Sequence, residues 1–84
     1  MPDINLAPNT WTDIYAASGI AVGTQINVQS SAGGIVYVKT SDSEPTDKGG
    51  STRLGTLFQA QNKAGSTGEW AYSLVPAIIS VSEF

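Results

Sequence analysis

Alternation with a period of two, cut at short intervals by glycine, is the feature that most restricts how this chain can fold. Residues 24–30 alternate cleanly, with Ile26 and Val28 on one side and Gln25, Asn27 and Gln29 on the other. Side chains of a strand point alternately to opposite faces, so this spacing predicts a half-buried β-strand. Ser31-Ala32-Gly33-Gly34 is a turn signal. The run behind it, Ile35-Val36-Tyr37-Val38-Lys39-Thr40, has the composition of a strand apolar on both faces. Strand, turn and strand together predict a β-hairpin over residues 24–40.

The same pattern recurs on either side. Residues 3–7 alternate with Ile4 and Leu6 on one face. Residues 11–16 alternate again, Trp11, Asp13 and Tyr15 against Thr12, Ile14 and Ala16. A helical turn capped by Thr12 is the rival reading there, but the stretch soon meets Ser18-Gly19 and is too short for an independent helix. Residues 54–64 read either way: 57–64 carry good helix formers with Gly65 where a C-cap would sit, while Leu57, Gln59 and Gln61 fit a strand edge. Strand is favoured because its neighbours on both sides are β. Residues 69–75 place Trp70, Tyr72 and Leu74 on one face, and residues 77–84 supply a last strand with Ile79 and Val81 opposed to Ile78 and Ser80. The expectation is an all-β chain: one domain over residues 1–84, a small β-sandwich or jelly-roll-like barrel of about seven short strands.

Residues 41–53 break the alternation. They hold Asp42, Glu44, Asp47, Lys48 and Arg53 with Pro45 and a Gly pair, and read as a long exposed loop. Asp42, Glu44 and Asp47 are hard oxygen donors close in sequence, but their spacing departs from an EF-hand loop and fits a solvated turn better. Lys48-Gly49-Gly50-Ser51-Thr52 has the letters of a phosphate loop in the wrong order and no helix behind it.

Composition narrows the chemistry. The chain has no Cys and no His, which removes disulfides, thiolate zinc sites and Ser-His-Asp or Cys-His catalysis, and leaves Ser41, Ser43 and Ser51 as loop hydroxyls. No enzyme activity, cofactor or metal is expected. Four basic against seven acidic residues, thinly spread, argue against nucleic-acid binding. No apolar run approaches a membrane span, and Met1-Pro2-Asp3-Ile4 reads unlike a signal peptide.

Charged residues are 13% of the chain, against about 25% in ordinary domains, so Ser and Thr do much of the solubilising. This suits a turn-rich β protein or one that hides surface against partners. Area scaling for this mass gives burial worth roughly 120 kcal/mol, against about 125 kcal/mol of ordering entropy. So near a balance makes assembly a natural source of further stability. Residues 35–38 and 77–81 are apolar, uncharged and β-prone, and as open edges they would aggregate unless buried between subunits.

Several stretches resemble small virion structural proteins of tailed bacteriophages. They are Asn9-Thr10-Trp11-Thr12-Asp13-Ile14-Tyr15, then Ser18-Gly19-Ile20-Ala21-Val22-Gly23-Thr24, then the polar strand, Gly turn and Ile35-Val36-Tyr37-Val38. The acidic loop Ser41-Asp42-Ser43-Glu44-Pro45 and the penultimate-strand Gly68-Glu69-Trp70-Ala71-Tyr72 extend the likeness over residues 6–83. The resemblance implies a non-enzymatic capsid decoration (cement) protein on the virion surface, made in the host cytoplasm. It implies a homo-oligomer, a trimer being favoured, which contacts the major capsid protein or another virion protein but neither nucleic acid nor membrane. A neck, tail or head-fibre base component is the alternative within the virion. A small carbohydrate-binding β-module using Trp11 or Trp70 is the alternative of another class. Expected partner contacts are Trp11, Tyr37, Asp42, Glu44, Asp47, Lys48, Arg53, Trp70 and Phe84. The residue 24–40 hairpin and the last strand are expected to form the subunit contacts.

Overall fold

The computed structural model describes residues 3–47, 49–55 and 59–83. In chain order the elements are β1 (Asp3–Leu6), β2 (Thr12–Asp13), α1 (Ile14–Ser18), β3 (Ile26–Ala32), β4 (Val36–Thr40), β5 (Thr52–Leu54), β6 (Gln59–Gln61), β7 (Glu69–Ser73) and β8 (Ala77–Glu83). The strands make two antiparallel sheets, one ordered β1-β8-β3-β6 and the other β2-β7-β4-β5. The pairs β1 with β8, β2 with β7, β3 with β6 and β4 with β5 are nested about the loop between β4 and β5. The chain is thus one long hairpin rolled into two layers, which is the strand order of a jelly roll. Among the described residues there are eight strands where about seven were expected, because the expected 41–53 loop ends early: Thr52 and Arg53 belong to β5, a strand of three residues that is too short to register as alternation.

The inward faces follow the period-two pattern. Ile4 and Leu6 of β1, Ile26 and Val28 of β3 and Ile79 and Val81 of β8 are buried. Val36 of β4, Leu54 of β5 and Ala71 of β7 close the core from the second sheet. The favoured strand reading holds at β6, while Leu57 and its neighbours at 56 and 58 lie outside the described residues.

Three expectations are corrected. The first is the 24–40 hairpin. β3 pairs with β6 and β8, and β4 pairs with β5 and β7, so the chain crosses from one sheet to the other between them. Gly33 and Gly34, at φ +100° and +90°, make that crossing, and a Cβ on Gly33 would run into the Pro76 carbonyl and Ala77. The register of β3 against β8 also shifts between Ser30 and Ala32, bending β3 at its end. A Gly pair signals a sharp change of direction but not whether the next strand returns to the same sheet.

The second correction concerns residues 14–16, which are helical. Asp13 caps α1 in place of Thr12, its Oδ1 accepting from the Ala16 N–H at 3.2 Å. Gly19 ends the helix at φ +77° and donates to the Tyr15 carbonyl at 3.0 Å. So short a helix holds because Ile14 and Tyr15 are both buried, which strand alternation would have sent to opposite faces.

The third correction concerns edges. β4 and β8 lie inside their sheets, and the edges are β1, β6, β2 and β5. The apolar character of residues 36–38 and 77–81 is that of strands hydrogen-bonded on both sides, while Ile35 lies just before β4 and is exposed. Their ladders are already satisfied within the chain and do not require subunit pairing.

Candidate functional site

Alternation along β7 turns Glu69, Ala71 and Ser73 into the core and leaves Trp70 and Tyr72 on the outer face. Tyr37 of β4 stands directly opposite Tyr72 on one side and opposite Arg53 of β5 on the other. Trp11, just before β2, lies beside Tyr72 with ring centroids 5.1 Å apart and planes at 47°. Tyr37 meets Tyr72 edge to face at 6.4 Å. The outer face of the second sheet therefore carries one row, Trp11, Tyr72, Tyr37 and Arg53. A second row, Asp13, Trp70 and Lys39, runs alongside it. The Tyr72 hydroxyl donates to Asn9 Oδ1 at 3.1 Å, and Trp70 Nε1 donates to the Ser41 carbonyl at 3.0 Å, so both rings are held at one end. The four aromatic side chains are half-buried and Arg53 is exposed.

Trp11, Tyr37, Arg53 and Trp70 thus meet on one face. The two Trp side chains anchor the outside of a sheet and take no part in the core. Asp42, Glu44 and Asp47 lie in the loop at one end of the sandwich. Asp47 binds Lys39 Nζ at 3.2 Å, tying the loop to the second row. That contact and the Gly49 N–H hold the exposed Asp47 carboxyl below its ordinary value, the Lys39 hydrogen bond being the largest cause. Asp42 Oδ1 accepts from Thr67 Oγ1 at 3.3 Å. Pro45 is buried and pins the loop's middle. Among the described residues no three acidic side chains are placed to share a metal ion. Lys48 and Phe84 lie outside the described residues.

Two features escaped sequence reasoning. One is a part-buried polar network around a buried carboxylate. The Glu69 carboxylate, 3% exposed, accepts from Thr40 Oγ1 at 2.8 Å, Ser66 Oγ at 2.6 Å and Asn62 Nδ2 at 3.3 Å. Asn62 also donates to the Tyr15 hydroxyl at 2.8 Å and accepts from the Ile26 N–H at 2.7 Å. Tyr15 in turn donates to the Thr24 carbonyl at 2.6 Å. The signal was available: if Trp70 and Tyr72 face out, Glu69 must face in. The other feature is an apolar end. Ile35, Leu74 and Val75 are each half or more exposed. The Val36–Ser73 pairing and the packing of Gly33 on Pro76 bring them to the same end of the sandwich.

Compared with protein-family models, curated proteins and solved structures, the chain matches none of them.

Proposed function

We propose that this chain is a non-enzymatic structural protein of a phage particle, a capsid decoration protein that stabilises the head shell by bridging capsomers. The observation that carries this reading is the row Trp11, Tyr72, Tyr37 and Arg53 on the outer face of the second sheet. Trp, Tyr and Arg dominate the residues that hold protein interfaces together, and clusters of them account for most of the binding energy. Their contacts with one another already restrict the rings, so docking costs less side-chain entropy. The sequence resemblance supplies the partner, the major capsid protein. The mixed charges of the loop between β4 and β5, at one end of the same sandwich, would tune register and selectivity more than affinity. The exposed Ile35, Leu74 and Val75 give copies of the chain a means of self-association, in keeping with a homotrimer. Multivalent engagement by such a trimer strengthens weak individual contacts.

Mixing the purified chain with expanded capsids and pelleting them tests the reading. Saturable co-sedimentation is expected, weakened at least tenfold by Trp11→Ala or Tyr37→Ala. Absence from the pellet would remove the decoration role and favour a neck, tail or head-fibre base. The same aromatic row also supports a second reading, a carbohydrate-binding module, because sugar C–H faces stack on aromatic rings. Quenching of Trp fluorescence by oligosaccharides is its test.

A further inference from the structure

Between the two sheets, beside the network on Glu69, lies a cavity of about 340 Å³. That is the lower range of small-ligand sites, roughly 300–1,000 Å³. Its floor is apolar: Ile26 and Val28 of β3, Val38 of β4 and Ala60 of β6. It is bordered by the exposed Gly50 and Gln61, which give it access to solvent. Glu69 and its partners Thr40 and Asn62 form its polar wall.

The unusual member is Glu69. Buried carboxylates are ordinarily paired with a cation, because neutral donors alone replace lost hydration poorly. Here the donors are two hydroxyls and an amide. Among the described residues the ion pair is Lys39–Asp47, and although Lys39 borders the cavity its ammonium is turned to Asp47. The carboxylate is also preorganised. Asn62 is fixed by the Ile26 N–H and by Tyr15, so the wall need not reorganise when a ligand enters.

We propose that this cavity binds an aliphatic ammonium or guanidinium group, its cationic head on Glu69 and its alkyl stem on the Ile26, Val28, Val38 and Ala60 floor. The group arrives either on a free small molecule or as the Lys or Arg side chain of a partner. This inference does not depend on the capsid reading.

The test is NMR titration of the isotopically labelled full chain with n-butylguanidinium, with its neutral isostere n-butylurea as control. The expected result is saturable shifts at Val28, Val38 and Ala60 methyls and at the Glu69 carboxyl carbon, with n-butylurea at least tenfold weaker. Glu69→Gln should weaken n-butylguanidinium at least tenfold. Ala60→Leu, which fills the floor but keeps the carboxylate, should abolish binding, and it carries the test if Glu69→Gln fails to fold. A capped Gly-Arg-Gly peptide separates the sources: binding as tight as n-butylguanidinium points to a partner's side chain, and weaker binding to a free small molecule. No saturable shift, equal binding of n-butylurea, or unchanged binding in a folded Glu69→Gln variant would overturn the proposal.

Discussion

Tyr37 stands directly opposite Tyr72 across the β4–β7 pair, and their rings meet edge to face with centroids 6.4 Å apart. This contact joins the two middle strands of the second sheet on its outer side. Cross-strand aromatic pairs contribute about 0.5–1.5 kcal/mol beyond the area they bury. A double-mutant cycle of Tyr37→Ala and Tyr72→Ala, measured by chemical denaturation, should return a coupling in that range. A coupling of zero would mean that each ring is held by its other neighbours.

Tyr15→Phe isolates the network from packing. The ring stays buried, but the Thr24 carbonyl loses its donor and Asn62 Nδ2 loses an acceptor. Both groups are part-buried and Asn62 Nδ2 keeps its bond to Glu69, so the loss is about 1 kcal/mol, the low end of the cost of an unpaired buried polar group. The denaturation midpoint should fall accordingly while the far-ultraviolet spectrum is unchanged.

Gly33 and Gly34 should differ sharply when each is replaced by Ala. Both sit at positive φ, which costs a residue with a Cβ on the order of 1–3 kcal/mol. A Cβ at Gly34 meets open space, whereas one at Gly33 collides with the Pro76 carbonyl and Ala77 backbone. Gly34→Ala is expected to lose about 1–2 kcal/mol and Gly33→Ala at least about 3 kcal/mol, read from unfolding curves of the two variants.

The Gly pair also shows where sequence reasoning stops. Alternation reports which way a side chain faces, so Ile4, Leu6, Ile26, Val28, Ile79 and Val81 are buried where their spacing puts them. It does not report pairing. Residues 24–40 look like a hairpin because hairpins are the common use of such a turn, yet β4 continues in the other sheet. Ile14 and Tyr15 are helical because two adjacent side chains both find the core, which is a tertiary effect. At the candidate site, residue type alone singles out Trp11, Tyr37, Arg53 and Trp70. Their meeting on one face depends on register between strands far apart in sequence, as does the place of Tyr72 between Trp11 and Tyr37.

Asp47 offers a pH test of the loop's attachment. Its carboxyl is held below the ordinary 3.8 first by the hydrogen bond from Lys39, then by the Gly49 N–H and by the Lys39 charge. The ionised form is therefore favoured in the folded chain. The stability it adds is fully present above the ordinary aspartate range and is lost as pH falls through the lowered folded value. Because the carboxylate is exposed, salt screens the charge contribution. Carbon-detected NMR of the Asp47 carboxyl should give a titration midpoint below 3.8 at low salt. Lys39→Met should raise that midpoint, and high salt should raise it less, because the hydrogen bonds survive screening. A midpoint indifferent to Lys39→Met would show that Gly49 alone holds the carboxylate, and that the loop is not tied to the aromatic face through this pair.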